Sequence, residues 1–169
     1  MRKPWPAARP EPFFTDVSDR LEHAHFDGPF GDFKRQSLLP NRLSHLGPGV
    51  CWADLDRDGD DDLLVGGGRG GELSRFENVG EGGFRRMPSL AAIEDHATIL
   101  NTVDGRGESM ILLGLQNYEV NTNGAPSFHM INVATGGGSA TRQSILKDSA
   151  TGPMSLADVD GDGGVKVFL

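Results

Sequence analysis

Two acidic stretches of this chain follow one plan, and no other feature restricts its fold as much. The first reads Asp54-Leu55-Asp56-Arg57-Asp58-Gly59-Asp60-Asp61-Asp62-Leu63. The second reads Asp158-Val159-Asp160-Gly161-Asp162-Gly163-Gly164-Val165-Lys166-Val167. Each follows a Gly-Pro pair and a short strand-like run, at 47–53 and 152–157. The two begin 104 residues apart, at positions 54 and 158, and a faded copy from Thr102 to Gly114 falls between them. A repeat of about 50 residues has room for about four short strands.

The segments between the loops agree with that count. The chain of 169 residues holds 24 glycines and 10 prolines, a fifth of all positions, and they break it into short runs. The runs are of strand type and none carries helical periodicity, which points to an antiparallel all-β architecture. In the first repeat the spacing predicts strands at 48–53, 63–67, 72–78 and 83–87, with the acidic loop at 54–62. In the second it predicts strands at 96–101, 110–115, 126–133 and 140–146, with Gly136-Gly137-Gly138 as the last turn. The third repeat holds one strand, its loop and part of a second strand. Four antiparallel strands per repeat make the blade of a β-propeller, so the expectation is two blades and a truncated third, an open part of such a ring. The chain then divides into a disordered tail at 1–13, a last-strand-like segment and linker at 14–46, blade one at 47–90, a degenerate blade two at 91–149 and a stub at 150–169. A closed ring needs at least about four blades of ~50 residues, so the sequence is expected to be a piece of a longer protein. Open blade edges would then be free to pair in trans.

The acidic loop suits a hard divalent cation. Calcium takes six to eight oxygens at roughly 2.3–2.6 Å, and alternate residues of a tight loop converge on one point. Asp54, Asp56, Asp58 and Asp62 would supply side-chain oxygens and Asp60 its backbone carbonyl. Gly59 permits a sharp turn with positive φ. An EF-hand shares this opening but requires a bidentate Glu at the twelfth position, where this chain has Val65, and flanking helices. In the second loop Asp158, Asp160 and Asp162 are in register, while the ninth position holds Lys166, whose ammonium opposes a cation. The middle loop keeps Asp104 alone and is expected to be metal-free, with Arg106 standing in as an internal cation.

These residues resemble a known repeat. The pattern Asp54-x-Asp56-x-Asp58-Gly59-x-x-Asp62-Leu63-Leu64-Val65-Gly66-Gly67, after Gly47-Pro48-Gly49-Val50-x-Trp52-Ala53, resembles the FG-GAP/VCBS-type repeat of the integrin-α-like β-propeller. Leu73-x-x-Phe76-x-Asn78-x-Gly80-x-Gly82-Gly83-Phe84 is similar to the hairpin between the third and fourth strands of such repeats. Phe14 to Ser18 resembles a last blade strand, and Asp32 to Gly49 a linker of the cartilage-acidic-protein-like (ASPIC/UnbV) group. The resemblance implies calcium ligand roles for Asp54, Asp56, Asp58, Asp60 and Asp62, and for Asp158, Asp160 and Asp162. It also implies a non-catalytic adhesion or scaffold module, extracellular or in the cell envelope, with a protein or glycan partner.

Other classes are disfavoured. Twenty-four acidic against 16 basic residues leave a charge of −8, the wrong sign for a nucleic-acid binder. No apolar run approaches the ~18 residues of a membrane span. Met-Arg-Lys-Pro-Trp-Pro opens the chain with no apolar region behind it, so no signal peptide is visible. A single cysteine, Cys51, sits in a strand-like run and reads as an inert buried thiol. His23, His25 and Asp27 would share one face of an extended strand, which suits a transition metal, although a polar linker is the favoured reading. Gly66 to Gly71 follows a strand without opening a helix and does not make a nucleotide loop. Two alternatives to a binding module are the propeller portion of a secreted hydrolase or lyase, and a truncated product without independent function. The first would need a cluster of base and nucleophile on one face, and no such motif is apparent.

Overall fold

The computed structural model describes residues 12–92, 94–120, 126–132, 141–147 and 150–169. Among these residues, ten strands form three antiparallel sheets. The first sheet runs in chain order through β1 (Val50–Ala53), β2 (Asp62–Val65), β3 (Glu72–Asn78) and β4 (Phe84–Ala91). The second repeats that order with β5 (Asp95–Val103), β6 (Ser109–Gln116), β7 (Pro126–Asn132) and β8 (Thr141–Lys147). A hairpin of β9 (Ser155–Ala157) and β10 (Lys166–Phe168) forms the third. The antiparallel all-β expectation holds, and within each sheet every strand pairs with its neighbours in sequence. Strand ends differ from expectation: β4 continues to Ala91, and β5 extends to Val103. The helices described are single turns, and none is long and apolar enough to cross a membrane.

Segment 14–46 forms no strand; it contains a 3-10 turn at Ser18–Arg20 and one helical turn at Asp32–Arg35. The expected last strand at Phe14 to Ser18 is absent for a local reason. Asp16 Oδ1 accepts both the N–H (2.9 Å) and the hydroxyl (2.6 Å) of Ser18, a side-chain turn that competes with strand pairing. Farther on, buried Asp32 accepts the N–H groups of Leu43 and Ser44 and the Ser44 hydroxyl, which closes the linker on itself. Residues 1–11 of the expected tail and the Gly136–Gly138 turn lie outside the described residues.

The core follows from the two-residue period of strands. On β2, Leu64 faces one side while Leu63 and Val65 face the other; on β6, Ile111, Leu113 and Leu115 oppose Met110 and Leu112. Both faces of these central strands are buried, which is why they read as unbroken apolar runs. Ala53, Leu55, Leu64 and Leu73 pack against Ile99, Ile111, Leu113, Leu115 and Ile131 in one core shared by the first two sheets. The outer face of the first sheet, Leu63, Val65 and Phe76, is covered by Leu21, and the His23 ring stands edge-on to Phe76 at 5.7 Å. The far face of the second sheet, with Leu112 and Phe128, packs on Met154 and Leu156 of the hairpin segment. Linker, sheet, sheet and hairpin therefore stack in chain order.

Backbone contacts fix the spacing of the first two sheets. Gly49 N–H donates to the His96 carbonyl at 2.9 Å and His96 N–H to the Gly67 carbonyl at 3.0 Å. A Cβ at Gly49 would stand 2.9 Å from the Ala97 carbonyl oxygen, and one at Gly66 would stand 2.8 Å from that of His96. Only glycine allows this approach. Leu113, with no exposed surface in the shared core, should cost about 2–5 kcal/mol when replaced by alanine. Leu38→Ala, at a side chain 95% exposed, should change urea unfolding by less than about 0.5 kcal/mol. Equal effects of the two substitutions would contradict the layered core.

Candidate metal centre

The first acidic loop is held at both ends by the sheet. Ala53 on β1 pairs with Asp62 on β2, so residues 54–61 must turn the chain between them. Leu55 is buried and drops into the core shared by the two sheets, while residues 56–61 remain exposed. Carboxylate oxygens of Asp54, Asp56 and Asp58 lie within 4.8 Å of one another. Their other bonds stay within the loop. Asp54 accepts the N–H groups of Arg57 (2.6 Å) and Gly59 (3.1 Å), Asp56 that of Asp58 (3.2 Å), and Asp58 that of Asp60 (2.9 Å).

The second loop repeats this wiring position for position. Asp158 accepts the N–H groups of Gly161 and Gly163, both at 2.9 Å, Asp160 that of Asp162 (3.4 Å), and Asp162 that of Gly164 (2.7 Å). Both loops use the left-handed region twice, at Arg57 (φ 68°) and Gly59 (φ 97°) and at Gly161 (φ 71°) and Gly163 (φ 83°). Sequence reasoning found the second of these positions and missed the first. The signal was Gly161, aligned with Arg57, a residue that pays a Cβ penalty there.

The loops part at the ninth position. Lys166 Nζ reaches Asp160 Oδ1 at 2.5 Å, Asp162 Oδ1 at 2.8 Å and the Gly164 carbonyl at 2.9 Å, so the ammonium sits among the carboxylates. The Lys166 bond holds the Asp160 carboxyl below its ordinary range, and Asp160 and then Asp162 raise Lys166. In the first loop the ninth residue is Asp62, which is buried and outside the group of three. It accepts the N–H of Asn78 (2.8 Å) through one oxygen and that of Leu55 (3.2 Å) through the other. Burial pushes its carboxyl upward. Asp60 is likewise outside that group, and its expected contribution is a backbone oxygen.

Asp104 in the middle loop is claimed mainly by backbone. It accepts the N–H groups of Glu108 (2.9 Å) and Arg106 (2.8 Å), which lower its carboxyl. The charge of Arg106 assists, as expected, but that of Arg57 acts too. Arg57 crosses from the first loop to donate to the Gly107 carbonyl and to face Glu108 at 3.6 Å. Cys51, expected to be buried, is half-buried against the shared core, and burial pushes its thiol upward.

A third acidic group joins residues far apart in sequence. Asp27, Asp95 and Glu119 bring carboxylate oxygens within 4.8 Å of one another, with Asp95 and Glu119 buried. Burial first, then the neighbouring Glu119 charge, pushes Asp95 up to about 6. Among the described residues the ligand spacing that includes Asp27 joins it to Asp95 and Glu119 and not to His23 and His25, whose rings stand 6.5 Å apart, although His25 and Asp27 line one cavity. No local spacing links positions 27, 95 and 119, so pattern reading could not find the group.

The chain matches no protein-family model, no curated protein and no solved structure.

Replacing Asp62 by alanine leaves the N–H groups of Leu55 and Asn78 without their acceptor. The expected loss is about 1–3 kcal/mol, measured by urea unfolding in a chelating buffer so that no metal contributes. An unchanged midpoint would contradict the pinning role of this carboxylate.

Proposed function

We propose that this chain is a calcium-binding segment of a β-propeller built from FG-GAP/VCBS-type repeats, serving as a non-catalytic binding or scaffold module. The observation that carries the reading is the shared wiring of the loops at 54–62 and 158–166. Two stretches 104 residues apart direct alternate aspartates inward through the same N–H donors. A solvated acidic turn has no need to reproduce that arrangement. Three carboxylates within 4.8 Å suit a hard cation, since two ligands on opposite sides of an ion at about 2.4 Å stand about 4.8 Å apart.

Asp54, Asp56 and Asp58 would hold the ion with their carboxylates and Asp60 with its carbonyl. Asp62 keeps lone pairs beyond the two its N–H partners use, and it ties the loop to the sheet. The ion offsets the repulsion of the clustered aspartates, so binding and local order are coupled. In the second loop Lys166 performs that neutralisation from within the chain. The stacking of two four-stranded meanders in chain order supports the blade reading. By the same resemblance we place the protein outside the cell or in its envelope, with a protein or glycan partner. Edge strands are a further surface for pairing with another chain.

Calcium should raise the melting temperature of the chain. At a concentration 100-fold above Kd the gain is about 2.7 kcal/mol, or roughly 5–10 °C for a chain of this size. Asp56→Ala should abolish most of that shift. A melting curve that does not move at millimolar calcium would remove the basis of the proposal.

A further inference from the structure

The first two sheets and the linker enclose carboxylates that the acidic loops do not explain. Asp27 comes from the linker, Asp95 opens β5, and Glu119 follows β6. Their oxygens converge within 4.8 Å. One guanidinium faces them: Arg69, between β2 and β3, reaches Glu119 Oε2 through Nε at 2.6 Å and spends another nitrogen on the Pro29 carbonyl. Asp95 Oδ1 accepts the Arg69 N–H at 2.6 Å. His45 Nδ1 stands 3.4 Å from Asp27 Oδ2. Three carboxylates against one fixed positive charge leave the group with a formal surplus of two negative charges.

Among the described residues, two oxygens of the group have no hydrogen-bond partner. Glu119 is 7% exposed, and its Oε1 is buried with no hydrogen bond; Asp27 Oδ1 is in the same state. A buried acceptor of this kind costs free energy unless something fills it, and a charged one costs more. Beside the group lies a cavity of about 150 Å³ whose lining includes Asp27, Asp95, His25, His45, Gly67 and Gly68, with the His45 side chain largely exposed. Gly68 admits the Asp27 side chain at close range, since a Cβ there would fall 2.6 Å from Asp27 Cβ and 2.7 Å from its Oδ1.

We propose that Asp27, Asp95 and Glu119 form a second divalent-cation site, separate from the acidic loops, that clamps the linker to the second sheet. The donor set is oxygen-rich, which favours a hard ion of the Mn²⁺, Mg²⁺ or Ca²⁺ kind. A single divalent ion matches the surplus charge and gives both orphaned oxygens a partner. The ligands come from three separate segments, so the ion fastens tertiary structure, whereas an ion in loop 54–62 would order one hairpin connection.

The full chain is titrated with Mn²⁺, and free ion is followed by its electron paramagnetic resonance signal. The triple variant Asp54→Asn, Asp56→Asn, Asp58→Asn removes the loop carboxylates and should still bind one ion. Adding Glu119→Gln should abolish that remaining binding, and adding Asp27→Asn at the more exposed ligand should do the same. Circular dichroism confirms that each variant keeps its strands, and the Asp27 variant serves if the Glu119 variant does not fold. A triple variant that binds no Mn²⁺ overturns the proposal, and so does an ion that survives both added substitutions. If the wild type and the triple variant each bind one ion, the buried site stands and the loop reading fails. If only the wild type binds, the reverse holds.

Discussion

The structure depends on how closely the first two sheets approach. Gly49 and Gly66 let the start of β1 and the end of β2 lie against the backbone of His96 and Ala97, where any side chain would collide, and the Gly67 carbonyl accepts the His96 N–H beside them. That spacing lets Leu64 and Leu73 meet Ile111 and Leu113 without a gap. It also positions both charged features of this region. Leu55 drops into the shared core and orients the acidic loop above it, and Asp95 is carried into the seam beside Arg69. Close packing is unforgiving of volume changes, so the glycines and the core act as one unit.

Negative charge is managed differently at each place where it gathers. In the loop at 158–166 an ammonium from the same hairpin lies among the aspartates. In the loop at 104–108, backbone N–H groups and two arginines share the work. At 54–62 the three clustered carboxylates accept, among the described residues, loop N–H groups alone, while Arg57 turns away toward Gly107 and Arg85 acts on Asp56 through charge without a hydrogen bond. In the seam Arg69 balances one carboxylate of three. The last two places are where charge is left over, and both are where a cation is proposed. In the seam, where Asp95 and Glu119 are buried, uncompensated carboxylates carry a desolvation cost that ligand binding recovers; in the exposed loop the cost is mutual repulsion alone.

Much of this was legible in the sequence, for identifiable reasons. Leu63-Leu64-Val65 and Met110 to Leu113 announce strands buried on both faces, and the glycine breaks between them place the turns. The repeated Asp-x-Asp-x-Asp-Gly spacing gave the two loops, and Lys166 marked where they differ. What was not legible is what depends on distance in the chain. Phe14 to Ser18 looked like a strand, but Asp16 turns it locally. Asp27 read as part of a polar linker beside His23 and His25, yet its carboxylate meets those of residues brought in by β5 and by the loop after β6. Arg57 carried no signal in the loop pattern, yet it occupies a left-handed position and bridges to the next loop. Periodicity reports local geometry and faces; it does not report which loops meet across a seam.

The central claim is that the loop at 54–62 holds a cation and that its twin at 158–166 is satisfied by Lys166. An amide proton–nitrogen correlation spectrum of the full chain during calcium titration tests both halves at once. The account predicts that the amide signals of Asp58, Gly59 and Asp60 move with calcium while those of Gly161, Gly163 and Gly164 stay in place. Signals at Gly59 that remain fixed at millimolar calcium, or that move no more than those at Gly163, would contradict it.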